Sequence, residues 1–181
     1  MFIEYRGKVP KVHPTAFVAP NAVLIGDVEI GEHSSIWFGT VIRADNGPIR
    51  IGARTSVQDN AVVHVSEGSQ TLVGNDVTIG HCACMEDCVI EDGALIGSNS
   101  VILNGARVGR RTLIAAGSVV SQNAQIPAEV LAAGVPAQVK KTLGGEANRW
   151  VEIASAEYVE LSREYLHQGI GDPEVHEVAE A

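Results

Sequence analysis

This 181-residue chain predicts a parallel β-helix of hexapeptide repeats, closed by a C-terminal α-helix, on the strength of three observations. Aliphatic residues recur at every sixth position from Val12 to Ile126, small residues recur at a fixed offset from them, and aromatic residues are scarce beside abundant glycine. Each hexad then reads as one short strand plus a turn. Its aliphatic side chain stacks on the equivalent one coil away, and a thin continuous core results.

Taken in order, the ladder runs Val12, Val18, Leu24, Ile30, Ile36 and Ile42, slips at ADNGP, and resumes at Ile51, Val57 and Val63. It slips again at SEGSQT, returns at Val73 and Ile79, and after one further single-residue slip continues from Ile90 to Ile126. Small residues such as Ala22, Ser34, Thr40, Ala94, Ser100 and Ser118 stand four positions past an aliphatic, where successive backbones must approach closely. A β-sandwich would instead show irregular strand spacing and period-two alternation.

From about Pro136 the ladder ends, and GVPAQVKKTLGGEANRW turns the chain out of the solenoid. In the next stretch Trp150, Ala154, Tyr158, Leu161 and Tyr165 form one stripe at helical spacing. That stripe predicts an amphipathic helix packing back along the solenoid, stopped by Gly169 and Gly171. The expected organisation is a β-helix over 1–140, a helix over 141–168, and an acidic tail over 169–181 that is expected to be disordered.

The balance of 13 Lys and Arg against 22 Asp and Glu gives a net charge of -9, which argues against a nucleic-acid surface. No apolar run approaches the roughly 20 residues that a membrane-spanning helix needs. Cys82, Cys84 and Cys88 are odd in number and closely spaced, a poor disulfide framework, and their spacing misses the C-x2-C knuckle of structural zinc sites. These features lead to the expectation of a soluble cytoplasmic protein without nucleic-acid or membrane partners.

The stretch IRADNGPIRIGARTSVQDNAVVH, followed by NDVTIGHC and later by GVPAQVKK, resembles the γ-class carbonic anhydrase family. The resemblance covers most of the chain, and its R-x-D, V-Q-D and H…G-H elements are more specific than the hexads, which acyltransferases share. It implies a mainly β fold, a left-handed parallel β-helix with a C-terminal α-helix. It further implies a homotrimer holding zinc or a similar divalent metal at each interface, through two histidines of one subunit and one of its neighbour. The activity implied is reversible CO2 hydration by a metal-bound hydroxide.

Carried onto this chain, the resemblance makes His64 and His81 metal ligands. The third histidine is due five residues after the second, where this chain has Glu86, followed by Asp87 rather than glycine. Two histidines and one glutamate form an established catalytic zinc set. The added negative charge would leave the bound water less acidic, so CO2 hydration should slow or vanish. Cys82 or Cys84 could supply a thiolate instead.

Gln58 and Asp59 match the family's V-Q-D, implying that the amide orients the hydroxide and the carboxylate supports the ligands. Tyr158 matches a tyrosine that reaches the metal pocket, although its place on the helical stripe reads equally well as a core aromatic. Arg43 and Asp45 match a pair that ties subunits together, as the planar guanidinium fork favours. The family's acidic proton-shuttle loop is reduced here to SEGSQT, with Glu67 alone. Two alternatives stay open: a non-catalytic trimeric scaffold or binding protein, and a hexapeptide acyltransferase or acyl-CoA enzyme suggested by GVPAQVKK.

Overall fold

The computed structural model describes residues 1–172 and 175. The hexads wind into a left-handed parallel β-helix of about seven turns, followed by one helix, Gly145–His167. Short parallel strands stack coil on coil to make three flat faces. The first face carries the start of Val23–Ile30, the start of Val41–Ile51, then Val62–His64, Cys84–Glu86, Val101–Ile102 and Val119–Val120. The two long strands bend round a corner, so their second halves join Thr71–Val73, Val89–Ile90, Arg107–Val108 and Gln125–Ile126 on the second face. The third face runs from Phe17–Val18 through Ser35–Ile36, Ser56–Val57, Thr78–Ile79, Leu95–Ile96 and Leu113–Ile114 to Val130–Ala133.

Every ladder residue from Val18 to Ile126 named above is buried, because one hexad advances the chain by one face and returns the aliphatic to the axis. Met85 belongs to the same ladder: it sits in register between Val63 and Ile102 and bridges the slip between Ile79 and Ile90. The small corner residues are buried too, and their hydroxyls satisfy carbonyls on the next coil. Thr40 donates to the Gln58 carbonyl at 2.8 Å, Ser34 to Gly52 at 2.6 Å and Thr55 to Gly74 at 2.7 Å.

Three features differ from the sequence-based expectation. Gln138–Thr142 forms an antiparallel strand against Val130–Ala133, so the chain extends the third face before it leaves the solenoid. The helix buries Val151, Ala154, Ser155, Val159 and Ser162, while Trp150 and Leu161 are exposed. Its seated face keeps Ala154, Tyr158 and Tyr165 of the predicted stripe but is shifted off Trp150 and Leu161, because small residues let the helix lie close to the flat sheet. Asp172, expected in a disordered tail, is instead buried; its carboxylate pairs with the Met1 amino group and its N–H donates to the Val18 carbonyl at 2.8 Å. Val175 also packs against the core, and the rest of the expected tail, 173–174 and 176–181, lies outside the described residues. Among the described residues, no helix is long and apolar enough to cross a membrane.

Asp27 ties the first two coils together at the second face. Burial works to raise its pKa, but hydrogen bonding and charge from Arg50, 2.7 Å away, and from Lys8 outweigh it and hold the carboxyl below its usual range. A carboxylate with a depressed folded pKa stabilises above its unfolded value of about 3.9 and loses that contribution as pH falls through the folded one. Asp27→Asn is expected to cost up to about 1 kcal/mol at pH 7. The difference from the native protein should vanish as urea unfolding is repeated below pH 3.9, through the folded pKa.

Candidate functional site

The residues singled out by sequence gather at the two margins of the first face. One margin is the corner it shares with the third face. There Gln58 and Asp59 lie one coil below His81, and the Cys82 N–H donates to the Asp59 carbonyl at 2.9 Å while the Asn99 N–H donates to that of His81 at 2.8 Å. Cys82 takes a left-handed conformation (φ 58°), making the tight turn on which His81 projects outward. The Asp59 carboxylate lies 2.9 Å from His81 Nδ1, and the imidazole is about half exposed. A histidine whose Nδ1 is held by a carboxylate presents Nε2 in a fixed direction, as in carboxylate–histidine–metal arrangements.

The other margin is the corner with the second face, where Arg43, His64 and Glu86 stand in register on successive coils. His64 Nδ1 is 2.8 Å from Glu86 Oε1, and its Nε2 is 3.2 Å from Asp45 Oδ1. Asp45 also pairs with Arg43. Burial works to raise the Asp45 pKa, but hydrogen bonds, the Arg43 guanidinium's first among them, hold it below the usual range. The Ser66 hydroxyl donates to Glu86 at 2.9 Å; its N–H donates to Asp87 at 2.7 Å, and the Asn104 amide donates to the other Asp87 oxygen at 2.7 Å. Glu86 is therefore engaged with His64 and Ser66, not simply solvated. Ser66, Asp87 and Asn104 come from three irregular turns, and no periodicity in the sequence marks them.

His81 and Glu86 are five residues apart along a largely extended segment, on the order of 15 Å at about 3.3 Å per residue. Among the described residues of one chain, no three His, Cys, Asp or Glu side chains group so as to hold a metal ion. His64, His81 and Glu86 thus do not converge within a subunit. Between the two margins the outward row of the first face reads Val41, Val62, Cys84, Val101 and Val119 in register, an apolar strip with one thiol.

Tyr158 reaches this region from the helix. Its ring meets Trp37 edge-on with centroids 5.4 Å apart, and it lines one cavity together with Gln58 and His81. Burial, with Asp59 and Glu157 nearby, pushes its phenol up, so it stays a donor at neutral pH. Cys84 is pushed up by burial and by Glu86, and Cys88 by burial and Asp87 to about 12. At pH 7 an aromatic disulfide reagent is expected to titrate at most Cys82 and Cys84. A third thiol equivalent, from buried Cys88, should appear only in denaturant.

The profile of the family described as bacterial transferase hexapeptide (six repeats) matches residues 10–44 and 87–122. A protein of Geobacillus kaustophilus named carbonic anhydrase is 40% identical over 165 residues, covering 91% of each chain. The chain belongs to the γ-carbonic-anhydrase-like hexapeptide family. Gamma carbonic anhydrase 2, mitochondrial, of Arabidopsis thaliana is 37% identical over 162 residues, 86% of this chain, and the chain spans only 58% of that protein's length. Among solved structures, a hexapeptide transferase family protein from Anaplasma phagocytophilum superposes with a TM-score of 0.88 at 36% identity, covering 91% of this chain and 98% of that one. The γ-carbonic-anhydrase-like family therefore shares its architecture with proteins named as transferases, and the fold alone does not choose between the activities.

Proposed function

We propose that this γ-carbonic-anhydrase-like protein is a homotrimer that holds a divalent metal, zinc by donor chemistry, at each subunit interface. His64 and Glu86 of one subunit and His81 of the next are the ligands. The observation that carries this reading is the split of the set across one face, with His64 and Glu86 adjacent at one margin and His81, braced by Asp59, at the other. An apolar strip lies between them, as a face covered by other copies requires. When subunits bring these faces together, the margins of neighbouring copies meet.

Two imidazoles and a carboxylate fit zinc. His64 would offer Nε2 once Asp45 turned wholly to Arg43, and Glu86 would have to swing from Nδ1 to reach the same metal, while Asp59 already fixes His81. When bound, such a metal supplies an acidified water as the nucleophile for CO2 hydration. Gln58 lines the same cavity as His81, and its amide is suited to orient a small oxygen nucleophile or substrate. If Glu86 held that metal, its negative charge would work against an acidified water, and CO2 hydration at neutral pH would be slow.

Metal content per chain, measured on untagged protein purified without chelator, tests this. The expected result is near one zinc per chain, lost in His81→Ala without loss of the trimer. A metal-free trimer would instead favour the non-catalytic scaffold, a second reading supported by the two carboxylates that already occupy both ring nitrogens of His64. The acyltransferase alternative rests on the shared fold and on relatives' names, and saturable coenzyme A binding would be needed to support it.

A further inference from the structure

The C-terminal helix seats on the third face over only part of its length. It lies against Phe17–Val18, Ser35–Ile36 and Ser56–Val57, where Phe17, Trp37, Phe38, Tyr158 and Tyr165 interlock. Further along the face, the outward residues change from Ser35, Ser56 and Thr78 to Leu95 and Leu113. Arg111 holds the helix's opening turns from the neighbouring corner, donating to Asn148 and Glu152 at 3.2 Å each. Between Leu95 and Leu113 below and Trp150, Ala154 and Tyr158 above lies a cavity of about 630 Å³.

That volume is in the range of pockets for small organic ligands, roughly 300–1,000 Å³, and far exceeds what CO2 or bicarbonate fills. One end of the cavity is polar. Gln58 lines it, is only 6% exposed, and among the described residues its side-chain amide has no hydrogen-bond partner. A buried carboxamide without partners is costly, and Gln58 is among the residues lining this open space. It offers an acceptor oxygen and two donor hydrogens. Glu157 also lines the cavity and Asp59 holds His81 Nδ1, so an anionic ligand is disfavoured.

We propose that this cavity is a binding site for an uncharged acyl compound, its hydrocarbon chain between Leu95, Leu113 and Trp150 and its carbonyl end against Gln58. The cavity shares Gln58, His81 and Tyr158 with the proposed metal site and so deepens that reading, but binding of the acyl compound does not require the metal, since the cavity and the unpaired amide belong to one chain.

The test is a titration of the full-length protein with hexanamide, in zinc-replete and in chelator-treated form, followed by tryptophan emission and by calorimetry. Trp37 is buried and Trp150 is 56% exposed, so a ligand in the cavity should shift emission to the blue by covering Trp150. Saturable hexanamide binding is expected in both forms, with acetamide at least about tenfold weaker in each for lost apolar contact, and hexanoate at least about tenfold weaker in the chelator-treated form for its charge. Ala116→Phe, at an exposed corner on the cavity rim, and Leu113→Glu should each weaken hexanamide at least about tenfold with the oligomer unchanged. Gln58→Leu should weaken it several-fold. No saturable binding, as would follow if a neighbouring subunit filled the cavity, overturns the proposal. So does hexanamide affinity equal to that of acetamide, or unchanged in both cavity variants. Hexanamide binding by a protein that retains no zinc after incubation with the metal and desalting would instead fault the metal reading alone.

Discussion

Glu86→His is expected to raise the CO2 hydration rate per bound zinc at neutral pH by about tenfold or more. The carboxylate contributes a full negative charge to the proposed ligand set, and a neutral imidazole contributes none. A zinc-bound water held by neutral ligands ionises near pH 7, so about half is hydroxide there. The first unit by which an anionic ligand raises that pKa removes about four-fifths of the hydroxide at neutral pH, and each further unit about nine-tenths of what remains. The substitution also frees His64 Nδ1 from the carboxylate 2.8 Å away and leaves Ser66 and Asp45 as its neighbours. Stopped-flow CO2 hydration with zinc quantified per chain reads the effect. Equal zinc in both proteins without a gain in rate would show that charge at position 86 does not limit the chemistry.

Gly52→Ala is expected to destabilise the fold by about 3 kcal/mol or more, although it adds one methyl group. Gly31, Gly52 and Gly74 stack at one corner on successive coils. A Cβ on Gly52 would stand 2.5 Å from the Gly74 carbonyl oxygen and 2.6 Å from its carbon. No rotamer relieves a Cβ clash with backbone. The coils cannot separate either, because the Gly52 N–H donates to Val73 at 2.9 Å and the Gly74 N–H to Ile90 at 2.8 Å. Gly117→Ala is the comparison: its φ of 70° strains an alanine, but nothing lies within 4 Å of the added carbon. About 1 kcal/mol is expected there. Urea unfolding of both variants at one fixed protein concentration separates the two, and equal losses would show that the coils yield at this corner.

The solenoid was legible because a six-residue period and a three-sided coil are the same fact seen in one and three dimensions. Each of Val18, Ile36, Ile79 and Ile114 returns to the axis because the chain turns a corner every hexad. Met85 was passed over because the insertion at SEGSQT and the slip before Ile90 hide its place in the count. The helical stripe seats Ala154, Tyr158 and Tyr165 as its spacing predicts, but Trp150 and Leu161 stay out because a flat sheet accepts Ser155 and Ser162 more closely.

At the site, the resemblance to the γ-carbonic anhydrase family picked out His64, His81, Glu86, Gln58 and Asp59, and the sequence by itself determined which chemistry-bearing residues the chain carries and on which coils. Only the tertiary structure decided that His64 and Glu86 touch while His81 stands at the far margin, that Asp59 braces one histidine and Asp45 faces the other, and that the helix lifts off Leu95 and Leu113 to leave a cavity at Gln58. The physical reason is the same in each case. Periodicity sets which way a side chain points from its own coil, whereas a contact between coils depends on corner turns such as Cys82 and on insertions that change how far the chain travels between them. Those distances are set by packing, and no period in the sequence records them.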